Sequence, residues 1–276
     1  MLHCVTVGKG LEDFVIQQLK MFSVGISSNR YGKIVFETQR NRSLLDLKCV
    51  ERLFAVIAYK TITRPNFNKR DLFNLLFICL NGEAIFSSLE NLNYYSDATG
   101  AEVNWRLRVS LKVTGKWKRK IDIPKLSTTI ARFLRRSSQL HLDPRNSNCE
   151  ICVHISDSDL FIGIPIRRLS CRYYLLGNAL RSTVVDAMIM VAEPRESQLI
   201  FDFTTGSSSV ILETAHLLKN KCFSIGSDIE WKALETSLEN RGHLEVSDKS
   251  ACLIDFICVD IEYGDHYFFV IFNNYA

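Results

Sequence analysis

The chain has 276 residues, 47% of them hydrophobic, with nine cysteines and a formal net charge of +4. That length holds two domains with proper cores. The start lacks a basic-then-apolar signal segment, and the longest apolar stretch, around Leu72 to Leu80, is too short to span a bilayer. Secreted and membrane-spanning proteins are therefore not expected. Nine cysteines without a signal segment point to free thiols in a reducing compartment, cytoplasmic or nuclear.

Residues 1–60 predict strand, helix (Leu11 to Met21), strand and helix (Leu44 to Ala58), a compact ferredoxin-like α/β unit. Residues 61–100 are less regular. They have a helical core at Asp71 to Leu80 and polar ends that include Asn91 to Gly100, and they suit a connector able to pack on its neighbours.

A third region, 101–168, opens with the clearest periodicity in the chain. Val103, Trp105, Leu107, Val109, Leu111 and Val113 alternate with Asn104, Arg106, Arg108, Ser110 and Lys112, which predicts a half-buried strand with a basic outer face. The turn that follows carries Lys116, Trp117, Lys118, Arg119 and Lys120. A helix comes next, with Leu126, Ile130, Phe133 and Leu134 as its apolar stripe and Arg132, Arg135 and Arg136 on its other side. Strands at Glu150 to Ser156 and Leu160 to Ile166 complete the module. Cys149 and Cys152 lie in an alternating segment that points them to opposite faces, so no metal site is expected there.

Charge is uneven. Between Ala101 and Arg136 there are eleven Lys and Arg against two acids, Glu102 and Asp122. Such an excess suits phosphate contacts along an RNA backbone. Arg167, Arg168, Arg172 and Arg181 would extend the basic path, and Trp117 either stacks on an exposed base or packs against its own domain.

In the last region, 169–276, an apolar run from Leu199 to Phe201 ends in Asp202, followed by a turn around Gly206 and a helical pattern. A second strand, Cys222 to Ser227, ends in Asp228, 26 residues after Asp202, and a third, Leu253 to Val259, ends in Asp260. Acids at successive strand C-termini around a small-residue turn are the elements of a nucleoside-cofactor site, with Asp228 placed to accept ribose hydroxyls.

Several segments together resemble THUMP-domain RNA methyltransferases. Gly163-Ile164-Pro165-Ile166 matches the strand that ends the THUMP domain, and Leu180-Arg181-Ser182-Thr183 matches the helix opening that leads to the cofactor motif. Gly10-Leu11-Glu12, Tyr31 to Phe36 and Glu51-Arg52-Leu53-Phe54 fit the start of such chains. The resemblance implies an α/β fold: an α+β THUMP region with its RNA-binding core at 101–168, then a partial Rossmann-like sheet at 169–276. It implies S-adenosylmethionine as cofactor, guanosine N2 of a structured RNA (transfer RNA or small nuclear RNA) as methyl acceptor, and no metal in the reaction.

Asp202 and Gly206 stand where the family has its acid and first glycine. Phe203 replaces the proline, and Ser208 replaces the second glycine, adding a side chain where cofactor atoms would lie. Asp260 takes the adenine position. Asn273 and Tyr275 stand near the position of the motif that holds the target guanine, without its proline. The family resemblance also implies a small zinc-binding activator subunit as partner. About three further strands would complete such a sheet, so the expectation is a methyltransferase domain cut short before its catalytic motif. The alternative is a non-catalytic RNA-binding protein that keeps the THUMP surface.

Overall fold

Alternating burial makes the opening residues a strand, β1 (Leu2–Val7). His3 turns to one face, stacked on Phe36 and edge-on to Tyr95, while Cys4 turns to the other, beside Val35 and Phe54. The computed structural model describes residues 1–260 except 23, 31, 65, 96–103, 138–140, 171 and 173. Its backbone divides into two units, Met1–Leu169 and Ser170–Ala276.

In the first unit, β1 is followed by α1 (Glu12–Lys20), β2 (Gly25–Arg30), β3 (Lys33–Glu37) and β4 (Val50–Thr61). Then come α2 (Lys69–Cys79), α3 (Gly82–Tyr95), β5 (Leu107–Val113), α4 (Ile123–Ser137), β6 (Cys149–Ile155) and β7 (Asp159–Arg168). One seven-stranded sheet, in the order β2-β3-β1-β4-β7-β6-β5, runs through the unit. Only β5 and β6 pair in parallel; the other neighbours are antiparallel.

One expectation gives way here. The helix expected at Leu44 to Ala58 is a 3-10 turn, Arg42–Asp46, followed by β4. Leu53 to Ala58 is almost continuously apolar because β4 lies inside the sheet and buries both faces, and such a run has no period to separate strand from helix. The expected connector packs on its neighbours. A capping box starts α2: the Asn68 side chain accepts from the N–H groups of Arg70 and Asp71, and the Asp71 carboxylate accepts from the Asn68 N–H. Leu72 and Leu76 of α2 and Ile85 and Leu89 of α3 share a core with α4, β5, β6 and β7. The N-terminal region, the connector and the 101–168 region thus belong to one unit, joined by the β4–β7 ladder.

The strand expected from Val103 starts at Leu107, and Glu102 and Val103 lie outside the described residues, as do 96–100 of the expected connector. Its alternation decides where charge goes. Leu107, Val109, Leu111 and Val113 face the core that holds Leu126, Ile130 and Leu134 of α4, so Arg108, Ser110 and Lys112 face away from that helix. On that far side, Cys4, Val35, Phe54, Val56, Cys152 and Phe161 form a second, smaller cluster to which no described helix contributes. Cys149 belongs to the helix-side core and Cys152 to the far side, and burial pushes both thiols up to about 12.

The second unit contains α5 (Ser182–Ala192), β8 (Leu199–Asp202), α6 (Ser209–Leu217), β9 (Phe223–Asp228), α7 (Trp231–Asp248) and β10 (Ile254–Cys258). Its three strands among the described residues are parallel, in the order β10-β9-β8. Helical crossovers between parallel strands put every strand C-terminus at one edge of the sheet, which is where the three acids were expected. Ile211, Leu212 and Ala215 of α6, Leu234 and Leu244 of α7, and Ile254 and Phe256 of β10 make its core.

Candidate functional site

The strand register brings the three acids together in a staircase. Asp202, the last residue of β8, pairs with Gly226; two residues on, Asp228 ends β9 and pairs with Cys258; two residues further, Asp260 follows β10. A two-residue step preserves the face of a strand, so Asp202 and Asp228 share one side as well as one edge of the sheet, with Asp260 following at the same edge.

The turn between β8 and α6 is held against β9. Thr204 N–H donates to Asp202 Oδ1 (3.2 Å), Thr205 N–H to the Ser227 carbonyl (2.8 Å), and the Ser227 hydroxyl to the Phe203 carbonyl (2.9 Å). Asp228 closes the arrangement, accepting from Gly206 N–H at 2.8 Å and from Glu230 N–H at 2.9 Å. Burial raises the Asp202 carboxyl above its ordinary range, and the Asp228 charge adds to the rise against the Thr204 hydrogen bond. Gly206 has φ +54°, and a Cβ placed there would meet nothing within 4 Å, so the turn faces open space. Gly226 was not singled out in the sequence, yet a Cβ on it would lie 2.8 Å from Thr205 Oγ1. That glycine lets the turn sit directly on β9.

Ser208 departs from the sequence expectation. Its backbone is left-handed (φ 61°), as suits a glycine position, but the side chain turns inward and is fully buried. The hydroxyl donates to Ser237 Oγ of α7 at 2.7 Å. The space above Gly206 is therefore not filled by it, and the substitution leaves room for a ligand. Asn273 and Tyr275 lie outside the described residues.

The basic residues do not form one surface. Arg132, Arg135 and Arg136 are exposed on α4, and Lys116, Lys118, Arg119 and Lys120 are exposed on the turn before it. Arg108 and Lys112 lie on the far side of the sheet, where Arg108 pairs with Glu150 at 3.4 Å. A pocket of about 770 Å³ opens on that far side, with Lys33, Arg52, Lys112 and His154 in its lining beside Asp157 and Asp159. Burial first, then Lys33 and Lys112, push the His154 imidazole down to about 4. Arg106 is exposed just before β5, and Arg167 and Arg168 are exposed at the end of β7, with Arg168 directly opposite Arg52 of β4.

Two residues leave the expected RNA surface altogether. Trp117 is 1% exposed and meets Phe67 edge-on, with Lys116 and Lys120 over its ring, so the packing alternative holds and no face remains for a base. Trp117→Ala is expected to cost about 3–5 kcal/mol in denaturant unfolding of the first unit. Trp117→Phe should cost much less, since the indole Nε1 has no partner among the described residues.

Arg172 is also buried. It donates through Nε to Glu213 of α6 and through Nη2 to Asp186 of α5 (2.8 Å) and the Ser182 carbonyl (3.2 Å). Tyr174 also donates to Glu213, and its phenol is raised well above the ordinary range by burial first and then by that charge. An arginine-rich run cannot reveal in sequence which member the fold will use to neutralise two buried carboxylates.

No known family profile matches the chain. Over 181 residues, 60% of this chain, it is 28% identical to the U6 snRNA (guanine-N(2))-methyltransferase THUMPD2 of Bos taurus, and the match spans 36% of that relative's length. The fold is that of TrmN from Thermus thermophilus, with a TM-score of 0.71, 19% identity, and coverage of 98% of this chain and 76% of that one. SMU.472, a putative methyltransferase solved with SAH, shares the fold at a TM-score of 0.65 and 13% identity, over 93% and 75% of the two chains.

The chain is thus similar in sequence to a THUMPD2 methyltransferase and shares the fold of TrmN. Asp202 and Gly206 stand at the turn after β8, and Ser208 is accommodated there by burial. The chain spans about a third of the length of the curated relative it matches.

Proposed function

We propose that this chain provides the RNA-binding region and the cofactor turn of an S-adenosylmethionine-dependent methyltransferase that modifies guanosine N2 in a structured RNA, a transfer RNA or small nuclear RNA. The observation that carries this reading is the staircase of Asp202, Asp228 and Asp260 around the open turn at Gly206. The site fits the cofactor. Asp228 presents a carboxylate for the ribose diol, Asp260 stands on the adenine side, and Asp202 with the turn takes the amino acid end. When bound, the cofactor supplies a methyl group on a sulfonium. The protein's part is to orient that group and to hold the guanine amine in line with it. Asn273 and Tyr275 are proposed for the guanine, a small zinc-binding activator subunit is the proposed partner, and a cytoplasmic or nuclear location is proposed with them.

Calorimetric titration with S-adenosylmethionine tests the cofactor reading, with binding expected at about micromolar affinity. Methyl transfer to transfer and small nuclear RNAs tests the substrate. A folded protein that releases no binding heat would refute the cofactor reading and leave RNA binding as the function.

For the RNA, phosphate contacts are assigned to Arg132, Arg135, Arg136 and the turn Lys116–Lys120. Arg132→Ala with Arg136→Ala is expected to weaken RNA binding and reduce the slope of log affinity against log salt by about 1.5–2. If that slope stays unchanged while Arg52→Ala with Lys112→Ala lowers it, the contact lies on the far side of the sheet instead.

A further inference from the structure

Behind the cofactor turn, α7 carries two polar side chains where its apolar stripe should continue. Ser237 and Asn240 stand three residues apart, on the stripe that also holds Leu234 and Leu244, and all four are 0% exposed. A buried hydroxyl or amide is tolerated only when it is bonded. The bonds these two make outside their own helix go to the turn and to the segment before α5. Ser237 Oγ accepts from Ser208 Oγ at 2.7 Å and has two carbonyls within reach for its own proton, Gly206 at 2.8 Å and Ala233 at 2.9 Å. Asn240 Nδ2 donates to the Ser207 carbonyl at 3.1 Å, and its Oδ1 accepts from Leu176 N–H at 2.7 Å. Thr205 Oγ1, 3.0 Å from Ser208 Oγ, completes a hydroxyl chain from one side of the turn to the other.

We propose that Ser237 and Asn240 are positioning residues for the cofactor turn, and that Ser237 and Ser208 form a matched pair. The inference rests on the cofactor reading of that turn. A serine in a left-handed position is disfavoured, and its side chain must go somewhere. Here the hydroxyl goes inward because α7 offers a small hydroxyl residue at the point of contact. The Ser237 hydroxyl also reaches the carbonyl of Gly206, the residue whose N–H is aimed at Asp228. Neither Ser237 nor Asn240 touches the cofactor. They act by fixing the backbone that does, so the glycine expected at position 208 is replaced by a serine together with its anchor.

The test is a double-mutant cycle on the full chain with two readouts, S-adenosylmethionine affinity by calorimetry and amide hydrogen exchange of residues 204–209. Ser237→Ala is expected to weaken cofactor binding about tenfold and to speed exchange in the turn, with exchange elsewhere in the unit unchanged. Ser208→Gly added to Ser237→Ala removes the stranded hydroxyl and supplies a residue at ease with positive φ, so it should restore most of both losses. Ser237→Thr, which keeps the hydroxyl, should stay near the parent in exchange. Additive losses in the double variant, or parental exchange in Ser237→Ala, would overturn the proposal. If the parent chain does not bind S-adenosylmethionine, the cofactor reading fails by itself, and the exchange cycle still decides whether the pair holds the turn.

Discussion

Arg172→Ala is expected to lower the stability of the second unit by about 3–5 kcal/mol. The side chain is 9% exposed and lies between two carboxylates of similar burial, Asp186 on α5 and Glu213 on α6. Burial by itself opposes the guanidinium charge, but the Glu213 hydrogen bond and the two carboxylates outweigh it, so the Arg172 pKa is raised further above its ordinary value. Removing the arginine takes a charge-assisted donor from both acids at once in a nearly dry site. Arg172→Lys keeps the charge but not the fork that reaches two carboxylates at once, so its loss should be intermediate. Urea unfolding followed through the second unit measures both. Lys232→Ala, at an exposed position on α7, is the reference and should change stability by about 0.5 kcal/mol or less. If Arg172→Ala costs no more than that reference, the buried network contributes nothing to the packing of α5 on α6.

The second large effect is expected at Asp228. In the protein alone its two oxygens accept from Gly206 N–H and Glu230 N–H, and in the proposed complex the same carboxylate receives the ribose hydroxyls. Asp228→Ala removes the ligand contact and the brace of the turn together. Hydrogen bonds to a charged group contribute about 1.5–3 kcal/mol each, so S-adenosylmethionine affinity should fall by about a hundredfold or more. A second readout separates a specific loss from general damage. The Asp228 charge is one cause of the raised Asp202 carboxyl, so Asp228→Ala should move the Asp202 titration down, observable by NMR. Undiminished affinity in the folded variant would place the ribose contact on another residue.

Parts of this architecture were legible in the sequence because local pattern and tertiary role agree there. The helix α4 shows its stripe and its arginine side, and β8 and β9 end in acids at the sheet edge that parallel connection requires, with Asp260 two residues past β10. Legibility fails where burial depends on distant neighbours. β4 is apolar on both faces because β1 and β7 flank it, which hides its period. Arg172 and Trp117 carry residue types typical of an RNA surface, but one meets two acids from later helices and the other a core assembled from four elements or more. Ser208 reads in sequence as an added side chain in the turn because its partner, Ser237, lies a helix, a strand and part of a second helix further along. The acids that would hold a cofactor were visible in the sequence; the residues that hold the turn beneath them were not.

The ladder between β4 and β7 also governs how the first unit comes into being. It joins residues about a hundred positions apart, Thr61 with Asp159 at one end and Arg52 with Arg168 at the other. Such pairs form only after a long loop has closed, so the first unit should fold slowly for its size and as a single cooperative event. On the ribosome, β1, β3 and β4 emerge well before β7 and must wait with one flank of β4 bare. The arrangement places the rate-limiting closure at the strand that ends in Arg167 and Arg168.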